Sequence, residues 1–316
     1  MKNKKGFEFS FGWMFAIIVG AAILFLAIYG ATKLISTERQ VSEAETAKEM
    51  GIILTPVETG LETAKASAPI VFPIETRIYN NCSLKGNFGE QLISTASSTK
   101  IGKQWEQGIP VGFSDKYIFS PSVLQGRNFY VFSKPFEMPF KIADLLYLWT
   151  DKYCFVNAPA DIKSEIMGLD LKNVNATDDI TGCEKQAVRV CFAGGEKCNM
   201  TVDVFQNYVS KKGKILHYGN NNALLYGAIF SDAEIYECQV QRLMKRASEI
   251  AMVYAGKSDI IATKSMGCSS NLQQDLASYA SESAKIKKSD EISRILFYAE
   301  SLERKNNELL CKLWES

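Results

Sequence analysis

The sequence predicts an α+β protein: an N-terminal transmembrane helix with a helical extension, a strand-rich ectodomain, and a C-terminal cluster of three helices. Three observations carry that prediction. From Phe11 to Thr32 the chain has 22 residues without a charge, between about residue 68 and 230 it breaks into short β-branched and aromatic runs, and after Ser231 its apolar residues recur at spacings of three and four. At 316 residues and 47% hydrophobic, the chain is long and apolar enough to bury a core outside the first segment.

Residues 1–36 read as a cytoplasmic tail and membrane anchor. As a helix the charge-free run extends roughly 33 Å, enough to cross a bilayer once. Lys2, Lys4 and Lys5 precede it, whereas Lys33 and Arg39 on the other flank are mixed with Glu38, Glu43 and Glu45. The positive-inside tendency therefore keeps the N-terminus cytoplasmic, puts residues 11–35 in lipid and places everything beyond outside the cell. The apolar run is longer than the core of a cleaved signal peptide, and no small-x-small cleavage site follows it, so it reads as a retained single-pass anchor. A helix of a soluble core is the competing reading, but the run is apolar all round and abuts a lysine cluster.

Residues 37–66 read as a juxtamembrane helix, with Val41, Ala44, Ala47, Met50, Leu54, Val57, Leu61 and Ala64 on one face. Gly51 and Pro56 predict a kink or break between them. Residues 67–230 form the strand-rich α+β ectodomain, its strands drawn from IVFPIETRIY, KYIFS, RNFYVFS, KYCFV, QAVRVCF, NMTVDVF, KILHYG and ALLYGAIF. Two helices are expected within it, at 141–150 (KIADLLYLWT) and 160–169 (ADIKSEIMGL). The Ala193–Lys197 loop reads as a hairpin turn.

Residues 231–316 form the helical C-terminal part of the same ectodomain. Ser231 and Glu234 have capping-box spacing, and Val240, Leu243, Met244, Ala247, Ile250, Ala251 and Tyr254 mark one helical face that Gly256 is expected to end. A second helix opens at Ser270 and runs to about Lys287. A third begins at Ser289, with Asp290 and Glu291 in a first turn whose dipole favours anions.

All eight cysteines, Cys82, Cys154, Cys183, Cys191, Cys198, Cys238, Cys268 and Cys311, lie beyond the apolar run. An even number in an oxidising compartment predicts disulfides. Structural zinc is disfavoured, because there is no CxxC pair and His217 is the one histidine. Cys191 and Cys198 are close enough in sequence to close their loop. If the last two helices form an antiparallel hairpin, Cys268 meets Cys311. An up-down-up arrangement then leaves Cys238 to reach a cysteine of the strand-rich part.

The search for chemistry yields no Walker A pattern, GxGxxG, HExxH or GxSxG, and it implies no cofactor. His217 reads as a partly exposed structural residue, and Asp170 with Asp178 and Asp179 as turn residues rather than a carboxylate pair or calcium site. Four of the 36 basic groups and one of the 35 acidic groups lie in residues 1–36, so the remainder carries −2. That balance argues against nucleic acid as a partner. Sequons at Asn81, Asn175 and Asn199 permit glycosylation outside the cell.

Lys4-Lys5-Gly6-Phe7-Glu8, the long apolar helix and its amphipathic extension together resemble the leader of type IV pilins and pseudopilins. The resemblance covers about 55 residues. It implies a peptidase cut after Gly6, leaving Phe7 first and the apolar helix packed in a filament core. Glu8 would then be second, where that family places its glutamate fifth, a displacement of about 4.5 Å along a helix. More loosely, the chain is similar to single-pass surface proteins of archaea. The reading that follows is a non-enzymatic envelope protein for adhesion, filament assembly or scaffolding, with self-assembly or other surface proteins as partners. A pilin-like subunit processed after Gly6 is a narrower version. A membrane-tethered enzyme using scattered carboxylates is the alternative from another class.

Overall fold

A computed structural model of the chain describes residues 11–59, 67–97, 105, 107–195, 197–264 and 270–315. Its first element, α1 (Phe11–Thr59), is one unbroken helix of 49 residues, roughly 74 Å long. The break expected between Gly51 and Pro56 does not occur. Pro56 falls within the last turn, and Gly51 serves packing: the ring of Phe113 lies against the helix where a Cβ at position 51 would stand. Residues 60–66, the rest of the predicted extension, lie outside the described residues.

Sheet A takes the order β3-β2-β1-β5-β6-β4, from β1 (Ser67–Ser83), β2 (Glu90–Ser97), β3 (Val111–Phe113), β4 (Ile118–Phe119), β5 (Val123–Glu137) and β6 (Lys141–Trp149). All neighbours are antiparallel except β4 and β6. The helix expected at 141–150 is therefore a strand. Its run Leu145-Leu146-Tyr147-Leu148-Trp149 is wholly buried because both faces of β6 are covered. Leu146 and Leu148 join Ala47, Met50 and Leu54 of α1 in one core, and Leu145, Tyr147 and Trp149 belong to a larger core on the opposite face. A strand buried on both faces loses its alternation and resembles a helix in sequence.

Sheet B takes the order β12-β11-β10-β9-β7-β8, from β7 (Tyr153–Val156), β8 (Val174–Thr177), β9 (Val188–Cys191), β10 (Met200–Asp203), β11 (Tyr208–Lys211) and β12 (Lys214–His217). The expected helix at 160–169 is present as α2 (Ala160–Gly168), which carries the chain between the parallel strands β7 and β8. The hairpin expected around Ala193–Lys197 is not one, because β9 and β10 run parallel. The short return is closed by a disulfide between Cys191 and Cys198.

ALLYGAIF, read as a strand, is α3 (Asn222–Phe230) instead, with every residue from Ala223 to Phe230 buried. It carries the large core between the sheets, its Phe230 ring stacking 4.6 Å from Trp149. The C-terminal cluster comprises α4 (Ala233–Lys264), α5 (Gln273–Lys285) and α6 (Ser293–Glu308). Gly256 does not end α4, which continues two turns further to Lys264 with no neighbour at the Gly256 Cβ position. The Ser231 hydroxyl, read as a cap, donates back to the Gly227 carbonyl at 2.6 Å, and Asp232 accepts from the main chain and hydroxyl of Ser122. Residues of α4, α5 and α6 share the large core with both sheets.

Candidate functional site

The feature that sets this chain apart is how α1 changes along its length. Phe11–Leu34 has a mean hydropathy of 2.5 with none of it buried, and it is long and apolar enough to cross a membrane. Between Glu43 and Leu54 the same helix lies in a socket on sheet A. Glu43 is 5% exposed, its main-chain carbonyl accepts from the Thr95 hydroxyl at 2.9 Å, and its carboxylate accepts from the Ser97 amide at 3.3 Å. Gly108 lets the neighbouring loop close over this point, since a Cβ there would stand 2.7 Å from that of Glu43. Ala47, Met50 and Leu54, all fully buried, follow on the face the periodicity predicted. Nine helical steps, about 14 Å, separate Leu34 from Glu43.

A second device ties the helical cluster to sheet A. Arg242 of α4 is fully buried and donates to the main-chain carbonyls of Phe88 (3.0 Å), Lys116 (2.9 Å) and Ser114 (3.1 Å), and to Gln239 (2.8 Å). Its guanidinium lies 4.6 Å from the centre of the Tyr117 ring. Burial pulls the guanidinium below its usual pKa, an effect the Tyr117 hydroxyl opposes. Gln239 also donates to Gln91, which donates to Asn80, so α4, β2 and β1 share one polar network. The Cys82–Cys238 bridge stands beside it, joining β1 to the start of α4 across 156 residues. This is the expected link between the strand-rich and helical parts. Sequence reasoning missed the network because its members carry no periodicity of their own; Arg242, among the apolar positions of α4, was the available clue.

Two open grooves hold the remaining chemistry. One, of about 550 Å³, lies where β12, the start of α4 and the Ser289–Glu291 turn meet, and it contains His217, Glu237 and Ser289. These three do not form a nucleophilic triad. Ser289 is 1% exposed and donates its hydroxyl to Glu237 at 2.7 Å, while His217 reaches Ser289 through its main-chain N–H at 3.1 Å. Glu237 thus caps the turn. The other groove, of about 510 Å³, is lined by Lys134, Glu137, Asn222, Glu300 and Glu303 among others. Its lysine is paired with Glu165 at 2.5 Å, and Tyr226 donates to the same carboxylate at 2.8 Å. The exposed Glu137, Glu300 and Glu303 stand at its rim, facing water rather than a closed reaction space.

Lys211, on β11, is buried and donates to the carbonyls of Ala228, Ile229 and Ser231 at the end of α3. A cation there complements the helix dipole. Burial nevertheless lowers its pKa to about 8, with Asp232 opposing.

The carboxylates singled out in sequence do not converge. Asp178 pairs with Lys163 at 2.7 Å, Asp179 caps the 3-10 turn at Ile180 through the Thr181 amide, and Asp170 sits at φ +51° after α2. Among the described residues no group of three or more His, Cys, Asp or Glu side chains is arranged to hold a metal ion. Cys154 is bridged to Cys183 in a small buried cluster with Val156, Ala187 and Cys191, and Cys311 is disulfide-bonded as well. Cys268, and with it the expected Cys268–Cys311 pair, lies outside the described residues, as do Gly6, Phe7 and Glu8. Asn81, Asn175 and Asn199 are all exposed. Comparison with protein-family models, with curated proteins and with solved structures finds no match for this chain.

Proposed function

We propose that this chain is a single-pass envelope protein whose residues 11–35 anchor it in the cytoplasmic membrane, with the N-terminus inside and the folded body beyond Glu43 outside. Its role in this reading is non-enzymatic, holding a rigid body at a fixed height above the lipid for adhesion, filament assembly or scaffolding. The observation that carries the reading is the unbroken α1: a bare apolar half continues without a hinge into a half sealed against sheet A. A flexible linker would let the body swing, and this helix holds it in line. The three disulfides between described residues, with Cys311 bridged as well, fit an oxidising exterior.

Within this reading, the continuous helix also favours a pilin-like subunit, because an apolar shaft rigidly joined to a folded head can pack its shaft against other shafts. Sequencing the mature N-terminus tests that version. A chain beginning at Phe7 supports processing, and a chain retaining Met1 removes it while leaving the anchor intact. For the anchor itself, alkaline carbonate washing of host membranes is the test: retention supports it, and full release into the soluble fraction contradicts it.

A further inference from the structure

We infer that Asn175 is an N-glycosylation site and that its glycan covers the free edge of sheet B. The inference rests on the exterior placement proposed above and adds to it which sequon is used. Three tripeptides have the required pattern, and the fold separates them. To modify an asparagine, a transferase must draw that residue and the two after it out of the protein into its own site, so the cost of local opening decides.

Asn81 is followed by Cys82, bridged to Cys238, and it lies on β1, which is hydrogen-bonded to strands on both sides. Its amide oxygen accepts from the Cys82 N–H at 2.8 Å. Asn199 is preceded by Cys198, bridged to Cys191, and its amide oxygen accepts from the Arg189 N–H at 2.8 Å. In both, the asparagine's own amide oxygen is tied to a main-chain N–H. Asn175 also stands beside a bridge, since Cys154, its partner on β7, is joined to Cys183, but its strand and its amide are held less. It lies on β8, the four-residue end strand of sheet B, paired only with β7. Its side chain is exposed and has no hydrogen-bond partner among the described residues. Of the tripeptide's side chains, Thr177 holds the contacts that must open: its hydroxyl donates to the Asp179 carbonyl at 2.7 Å and lies 3.9 Å from each sulfur of the Cys154–Cys183 bridge.

The transfer joins the Asn175 amide nitrogen to C1 of the first sugar. The donor is an oligosaccharide linked through phosphate to a lipid. Its C1–O bond to phosphate breaks, the lipid phosphate departs with the electron pair, and the amide nitrogen loses one proton to a base of the transferase. The product has a physical use as well. Unpaired N–H and C=O groups along an end strand template association with other strands, and a bulky hydrophilic group beside them blocks it.

Peptide mapping by mass spectrometry, on the full chain extracted from its host's membranes, tests the inference. Protease treatment of intact cells from the same culture reports the location. The expected result is a saccharide mass on the peptide containing Asn175, lost entirely in Asn175→Gln and kept in Asn81→Gln and Asn199→Gln, in a chain that the protease reaches. A bare Asn175 in a protease-accessible chain overturns the inference and leaves the exterior placement standing. Glycan on Asn81 or Asn199 with Asn175 bare overturns it equally. A bare Asn175 in a chain the protease cannot reach removes both.

Discussion

Between Phe11 and Leu34 the side chains of α1 lie open on every side, whereas between Glu43 and Leu54 the same helix buries Ala47, Met50 and Leu54 against four strands of sheet A and seats Glu43 among Thr95, Ser97 and Gly108. The backbone does not change across the join. What changes is the medium that satisfies the side chains: protein for the second half and, in our proposal, lipid for the first. A helix apolar all round needs an apolar solvent, while one with a stripe needs only an apolar partner. One helix thus carries two unrelated constraints, and a substitution should be felt by whichever constraint governs its half.

The largest separation between the halves comes with alkali. Burial raises the hydroxyl pKa of Tyr117, Tyr147, Tyr153, Tyr226, Tyr236 and Tyr279 above the ordinary 10, and that of Tyr218 to about 12. A raised folded-state value gives stability that is complete below pH 10 and is lost as pH climbs through the folded values. Lys211 acts oppositely: with its value lowered to about 8 from 10.5, stability is gained as pH climbs through that interval. Stability should therefore rise from pH 8 to 10 and then fall steeply. Absorbance at 295 nm should show seven of the thirteen tyrosines ionising together as the folded body melts. In detergent, the bare half should keep its helical circular dichroism.

A paired truncation sharpens the contrast. Leu54→Ala, in the socket, should cost the folded body about 2–5 kcal/mol in urea denaturation. Leu24→Ala, on the bare half, should leave that value unchanged. Equal losses at both positions would mean that the bare half is packed on protein after all.

Cutting the Cys82–Cys238 bridge with a double Ala substitution should cost about 2–4 kcal/mol in the same assay. The bare half should again not respond. The smallest effect concerns glycine. Gly51→Ala should cost about 1–3 kcal/mol, because the methyl meets the Phe113 ring, while Gly20→Ala meets nothing and should be neutral or stabilising.

How much of this was legible in the sequence depends on how many faces each element covers. The bare half of α1, the socket face and the stripe of α4 were legible because an element with one buried side retains its period. β6 and α3 exchanged identities for the opposite reason. Both are buried on all sides, so Leu145–Trp149 lost the alternation of a strand and Ala223–Phe230 lost the period of a helix. The β9–β10 loop misled differently. A glycine-rich turn between two strands fits a hairpin, and only the register, Met200 against Val190, reveals the parallel return. The link from Cys238 to the strand-rich part was legible by geometry, whereas its partner Cys82 was not, since several cysteines met the same condition. The Arg242 network was hidden because main-chain carbonyls, which any sequence supplies, are most of its acceptors.

Protease treatment of intact cells, with and without reductant, tests the central claim most directly. The account predicts that residues beyond α1 are cut from outside, slowly while the disulfides hold and rapidly once they are reduced, leaving a membrane-retained fragment that contains Phe11–Leu34. A chain that stays whole on intact cells under both conditions, and is digested only after lysis, would place the folded body inside the cell and contradict the account.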